Sequence, residues 1–195
     1  MILDLGQLSE GAHSSYAAAI SADGRLVVGS ANHGNYGQVA FSWTPATGMV
    51  SLDQSFLVRH SAGASAVTAD GSVVVGSWDV MSNGLDRAFR WTKQSGIVTL
   101  GVLPGSDRSS SEAVSADGRV VVGKSEGAFR WTESTGMVAL PGRSMWGAKA
   151  VTADGRMVYG DEMGAMTSMW SAGTKMERSR GTPTRQKSPL HFLPQ

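Results

Sequence analysis

A short phrase, Ser/Thr-Ala-Asp-Gly, recurs along the chain and constrains its fold more than any other feature. It occurs four times, with its aspartate at Asp23, Asp70, Asp117 and Asp154. The first three aspartates are 47 residues apart, and the last interval is 37 residues. Self-similarity at a period of roughly 40 residues is typical of proteins built from stacked repeats. The chain is therefore predicted to fold as one repeat domain.

Each repeat continues with the same features. The Asp-Gly pair predicts a two-residue hairpin turn, because both residues tolerate positive φ. An apolar run ending in glycine follows, then a tryptophan, and in three repeats a Gly turn with a second apolar run. The first runs occupy 26–29, 73–76, 120–123 and 157–160, and the tryptophans are Trp43, Trp91, Trp131 and Trp170. A repeat thus has four strands: A before Asp-Gly, B on the first run, C at the tryptophan and D on the second run.

Four short strands per repeat are typical of a propeller blade. Strand B is apolar at consecutive positions, which predicts burial on both faces. A helical solenoid is excluded, because no segment keeps a 3.6-residue apolar period through the Gly turns. A β-helix stays open as an alternative, although its repeats are usually shorter. The predicted fold is all-β, a small β-propeller of about four blades.

The fourth repeat has no apolar strand D after Trp170, and the N-terminus has the matching sequence. Residues 2–8 align with 97–103, which include a strand D. We predict that residues 2–5 complete the last blade and close a ring; the alternative is that the chain is a segment of a longer repeat array. The predicted domain is 1–172, with repeats at about 9–53, 54–103, 104–142 and 143–172 plus strand 1–8, followed by a basic, disordered tail at 173–195.

The charge distribution argues against a nucleic-acid partner. The net charge is +1, but the segment from Ser171 onward has five bases and one acid, so the remaining chain is net negative. A nucleic-acid binder normally carries its basic patch on the fold itself. The absence of cysteine excludes disulfides and thiolate zinc sites. No apolar run approaches the ~20 residues of a membrane span, and no signal peptide is visible. The chain is expected to be a monomer.

No catalytic constellation emerges, and no cofactor or metal is predicted. The four histidines lie at unrelated positions without metal-site or nucleophile motifs: His13, His33, His60 and His191. The repeated aspartates are interpreted as turn residues, since four symmetric turns cannot converge on one substrate as a catalytic carboxylate pair must. A carbohydrate-active enzyme is the least favoured function.

The loops that vary between repeats indicate where a ligand would bind. The A–B and C–D turns are short and repetitive, whereas the B–C and D–A connections differ in length and content. In an up-and-down blade these two classes emerge at opposite ends, so the variable loops share one face. Aromatic rings beside amides and charges suit a carbohydrate or a protein ligand. The candidate ligand-binding residues are His33, Tyr36, Trp78, Arg59, Arg108 and Trp146.

The repeat unit resembles the bacterial HAF repeat, named for a His-Ala-Phe triplet. The similarity is carried by Ser-Ala-Asp-Gly-Arg-Val-Val-Val-Gly-Lys-Ser, Ala-Phe-Arg-Trp-Thr and Thr-Gly-Met-Val-Ala-Leu within 115–140. The histidine is replaced by Val39, Arg87 and Gly127, and the fourth repeat has Met-Thr-Ser at 166–168. The resemblance implies an extracellular or surface protein, in some cases an autotransporter passenger. We therefore expect a non-enzymatic binding module, or alternatively a structural segment of a larger exported protein.

Overall fold

The structure, a computed structural model, forms an all-β fold. It describes residues 3–8, 14–33, 37–53, 61–79, 84–141, 147–161 and 168–171. Within these ranges there are fifteen strands and no helix, so no described helix could span a membrane.

The strands form four antiparallel sheets in chain order, one for each repeat. The first sheet contains β1 (Ser15–Ile20), β2 (Val27–Asn32), β3 (Gln38–Thr44) and β4 (Gly48–Ser51). The second contains β5 (Ala62–Val67), β6 (Val73–Trp78), β7 (Arg87–Thr92) and β8 (Gly96–Thr99). The third contains β9 (Ser110–Val114), β10 (Val121–Ser125), β11 (Gly127–Thr132) and β12 (Gly136–Ala139). The fourth contains β13 (Gly147–Val151), β14 (Met157–Asp161) and β15 (Ser168–Ser171).

The Asp-Gly phrase forms a four-residue loop and not the two-residue turn predicted from it. In the first repeat the backbone of Ser21 pairs with that of Leu26, its N–H donating over 2.9 Å. The Asp23 carboxylate accepts hydrogen bonds from Ser21 Oγ at 2.6 Å and from the Arg25 N–H at 3.0 Å. Gly24 has φ +70°. The loop is longer because the carboxylate accepts hydrogen bonds from Ser21, two residues before it, and from Arg25, two residues after it.

Strand B is buried on both faces in the first three repeats, as predicted. The adjacent valines of each strand, which face opposite sides of the sheet, are all buried: Val27 and Val28, Val74 and Val75, and Val121 and Val122. The glycine that ends each run lies opposite a β-bulge in strand A. A Cβ on Gly76 would lie 2.0 Å from the carbonyl oxygen of Gly63. Only glycine therefore allows strand A to approach strand B this closely.

Successive sheets pack face to face, which is the arrangement of propeller blades. Between the first and second sheets, Val28 packs with Ala64, Val74 and Phe89. Equivalent clusters lie between the second and third sheets and between the third and fourth. The core is thus a series of inter-sheet layers, and the predicted propeller fold is confirmed.

The N-terminal segment matches its predicted alignment in one part. Gly6 and Gly101 both have positive φ, 78° and 84°. Leu5 and Leu8 pack against the first sheet in the manner that Leu100 and Leu103 pack against the third. The described part of the predicted strand, residues 3–5, is not in a strand and has no ladder to β15 among the described residues. In the part of the chain that the structure describes, the fourth sheet therefore has only the strands β13, β14 and β15.

Candidate functional site

The hydrogen bonding of the loops distinguishes the two ends of the sheets. The turn end carries the A–B and C–D turns, and each of these repeats one bonding pattern. In every A–B turn a Ser or Thr hydroxyl donates to the aspartate over 2.6 Å. Those bonds hold the pKa of Asp70 down to about 2 and lower the pKa of Asp23, Asp117 and Asp154. Each aspartate thus bonds within its own turn, which supports the interpretation of the four aspartates as turn residues.

The opposite end, here called the loop end, carries the B–C and D–A connections. In the B–C connection of the second sheet, the carboxylates of Asp79 and Asp86 interact electrostatically. Asp79 is buried, and its Oδ2 accepts the Gly84 N–H at 2.7 Å. Burial raises the pKa of Asp86, the charge of Asp79 raises it further, and Arg108 opposes the shift. The charges of Asp79 and Arg108 thus act on Asp86 in opposite directions at this end.

Arg87 ties the two connections of the loop end together. Its Nη1 donates to the carbonyl oxygens of Leu85 and Asp86 at 3.3 Å each, and to that of Asp107 across the gap. The backbone N–H of Ser109 also donates to Asp86 O at 2.9 Å. The long Arg87 side chain thus reaches across to the neighbouring loop.

Two buried serines hold the 101–109 loop from below. Ser109 Oγ donates to Gly101 O at 2.6 Å and accepts the Ala88 N–H at 2.8 Å. Ser125 Oγ donates to Arg108 O at 2.8 Å. The side chains of Asp107 and Arg108 project outward, 74% and 63% exposed, with 4.0 Å between Oδ1 and Nε. A fixed backbone thus presents an exposed acid and base to solvent.

The structure describes three of the six candidate ligand-binding residues. Arg108 lies on the loop end as predicted. Trp78 is half buried and packs against the cluster between the first and second sheets, so much of its ring serves the core. His33 is half buried, and its backbone N–H donates to the carbonyl oxygen of Gly37 at 2.8 Å, which closes the B–C loop of the first sheet. Tyr36, Arg59 and Trp146 lie outside the described residues.

Asp86 and Arg87 belong to this site but were absent from the sequence-based candidates. The signal that could have revealed them is the acid–base dipeptide placed directly before the Ala-Phe of the repeat. As for metals, the described residues contain no cluster of three or more His, Asp or Glu side chains that could hold an ion.

The fold is similar to that of several solved structures. TolB from Acinetobacter baumannii superposes with a TM-score of 0.54 at 16% identity, covering 80% of this chain and 41% of that one. A putative TolB from Agrobacterium tumefaciens gives 0.54 at 17% identity, covering 85% and 61%. The computationally designed Ika4 protein gives 0.52 at 21% identity, covering 89% and 100%. The chain thus spans less than two thirds of either TolB structure.

Comparison with models of known protein families finds no match, and comparison with curated proteins finds none. At these identities the likeness to solved structures concerns the fold alone. The chain is an all-β protein of the propeller type.

Proposed function

We propose that the chain is a non-enzymatic binding module that recognises a polar ligand, a peptide or a glycan, through its loop end. The observation that carries this proposal is the charged cluster between the second and third sheets. Burial raises the pKa of Asp86 and so disfavours its ionised form, and the third sheet, whose B–C connection is fully described, forms without such a carboxylate pair. A charge arrangement that the fold does not require is best explained by binding.

The exposed pair at the tip of the cluster offers both kinds of charged contact. Arg108 can donate several hydrogen bonds in a planar fork to a carboxylate or to sugar hydroxyls. Asp107 accepts from amide or hydroxyl groups. Because the loop backbone is held by Ser109 and Ser125, little conformational freedom would be lost on binding, which favours affinity.

The chain offers a matched pair of arginines to test this assignment. Arg108 at the loop end lies 4.0 Å from Asp107, and Arg119 at the turn end lies 3.8 Å from Asp117. The labelled full chain is to be screened on peptide and glycan arrays. We expect Arg108→Glu to weaken binding to the recognised class about tenfold or more, while Arg119→Glu leaves it unchanged.

Two results would refute the proposal. One is the absence of binding to either array by the wild-type chain. The other is equal weakening by the two substitutions, which would indicate a general charge effect. On location, the HAF-repeat resemblance supports an exported protein, and fractionation of producing cells into medium, envelope and cytosol tests that part separately.

A second candidate, a structural segment of a larger exported repeat protein, is favoured by one observation. The first and fourth sheets each have an outer face that no neighbouring described sheet covers, as a segment of a longer array would. The mass of the full chain in solution tests this candidate, because a self-contained assembly of defined mass would need no further repeats.

A further inference from the structure

The interfaces between successive sheets repeat the same contacts. Each sheet has a leading face, which meets the sheet before it, and a trailing face, which meets the sheet after it. A Cβ on Gly71 would lie 3.0 Å from Leu26, and one on Gly118 would lie 2.5 Å from Val73. The aspartate turn of one sheet therefore rests on the first residue of the apolar run, Leu26 or Val73, in the preceding sheet.

This contact is missing at the first sheet. Gly155 of the fourth sheet makes the same contact, since a Cβ there would lie 2.6 Å from Val120 of the third sheet. At the equivalent Gly24 of the first sheet, no atom lies within 4 Å of the Cβ position. By the repeat, the residue that should meet Gly24 is Met157, which is only half buried. The fourth sheet makes no packing contact with the first comparable to those between successive sheets, among the described elements.

Along β1, the leading face of the first sheet is correspondingly exposed, whereas Leu5 and Leu8 cover Val27, Phe41 and Trp43. Ala17 occupies the position of Ala64, Ser111 and Ala148, which are all buried, yet Ala17 is exposed. Ile20 is 58% exposed, and Tyr16 is 66% exposed. Such apolar exposure on a strand that is covered in every other repeat marks an interaction surface.

The trailing face of the fourth sheet shows the complementary deficit. Val28, Val75 and Val122 are fully buried against the following sheet, whereas Tyr159 at the same position is half buried. We propose that a second copy of this chain docks there. Its first sheet packs on the fourth sheet of its partner, and two such contacts close a ring of eight sheets.

Continuity with the existing interfaces identifies a second copy as the occupant. The trailing face of the fourth sheet carries the repeat positions that cover leading faces elsewhere in the chain. The backbone bond from Ala22 N to Ala69 O, 2.9 Å, recurs from Ala116 N to Ala153 O, 3.0 Å. In the proposed dimer, the same relation would join the backbone N–H of Ala153 in one copy to the carbonyl oxygen of Ala22 in the other. Two copies form the smallest assembly that covers every open face, since head-to-tail contacts either close a ring or grow without limit.

The N-terminal segment supplies a second contribution to the same contact. Leu5 and Leu8 fix it on the first sheet, so docking brings residues 3–4 of one copy to β15 of the other. These residues align with β8, which is the strand D of the second sheet. They would add the fourth strand to the partner's sheet, which is the strand addition predicted from the sequence but made between copies.

The test is the mass of the full chain in solution, measured by light scattering and sedimentation over a dilution series. We expect twice the chain mass of 20.4 kDa. Ala17→Glu should weaken dimerisation at least about tenfold, because it buries a charge in the contact. Ala18→Glu is the matched control and should not weaken dimerisation. Ala18 is the bulge residue, and its equivalents Glu112 and Lys149 already carry charge at an interface between sheets, where they pair at 3.4 Å.

A cross-link gives a readout that does not depend on the charged variants. The chain has no cysteine, so Ala22→Cys and Ala153→Cys in one chain provide the only thiols. Oxidation should yield a covalent dimer on a non-reducing gel. A cross-link within one chain would show a closed four-sheet ring and overturn the proposal. A monomeric wild type, a dimer unaffected by Ala17→Glu, or an open-ended series of larger species would overturn it as well.

Discussion

The carboxylate of Asp70 shows how a single residue stabilises its turn. It accepts hydrogen bonds from Thr68 Oγ1 at 2.6 Å, from the Ser72 N–H at 3.0 Å and from Ser72 Oγ at 2.8 Å. These bonds favour the ionised form and lower its pKa to about 2 from 3.8. Because the folded pKa is the lower one, its contribution to stability is present above pH 3.8 and disappears as the pH falls towards 2.

We therefore predict that Asp70→Asn lowers the free energy of unfolding at neutral pH, by about 1 kcal/mol or less, since the turn is open to solvent. The difference from wild type should vanish near pH 2. Urea unfolding at a series of pH values measures both quantities. Glu133→Gln, which removes a charge from an exposed C–D turn, should leave the pH dependence unchanged; a constant deficit for Asp70→Asn at all pH values would contradict the carboxylate's role.

At the scale of the strand, the glycine that ends strand B controls how closely strands A and B approach. A Cβ on Gly76 would lie 2.0 Å from Gly63 O and 2.8 Å from Phe89 Cε1. Both neighbours are held in the sheet, so neither can move aside cheaply. We predict that Gly76→Ala lowers the free energy of unfolding by about 3 kcal/mol, measured as a lower urea midpoint.

Gly63, in the adjoining strand β5, is the natural control. A Cβ there would meet only the Ser30 Cβ, at 3.6 Å, an ordinary contact. Gly63→Ala should therefore be near neutral, because the loss of unfolded-chain freedom offsets any new strain. Equal destabilisation by the two substitutions would show that the bulge does not depend on the glycine.

The strands were predictable from the sequence because each repeat restates the same pattern of turn residue, apolar run and tryptophan. The four-residue length of the Asp-Gly loop was not, because it depends on hydrogen bonds that the carboxylate makes to both sides. Part of the loop end could be predicted in the same way. Arg108 was found by its position in a variable loop, but the reach of Arg87 to Asp107 depends on how two sheets stack, which no local pattern records.

For the whole molecule, the stacking implies unequal stability among the sheets. The third sheet is covered on both faces, by the clusters it shares with the second and fourth sheets. The fourth sheet shares a described cluster only with the third. Val120 and Val122 of the third repeat are buried, whereas Met157 and Tyr159 at the same positions of the fourth repeat are half buried. Local opening costs less free energy where fewer apolar contacts are lost.

We predict that amides of β14 exchange with solvent about tenfold faster than those of β10 in the single chain, a difference of about 1.4 kcal/mol in opening free energy. The measurement is hydrogen exchange by mass spectrometry, with Ala17→Glu keeping the chain monomeric. Equal rates in β10 and β14 would mean that all four sheets open as one cooperative unit. In the wild type the difference should shrink as concentration rises, because docking of a second copy covers the trailing face that leaves β14 exposed.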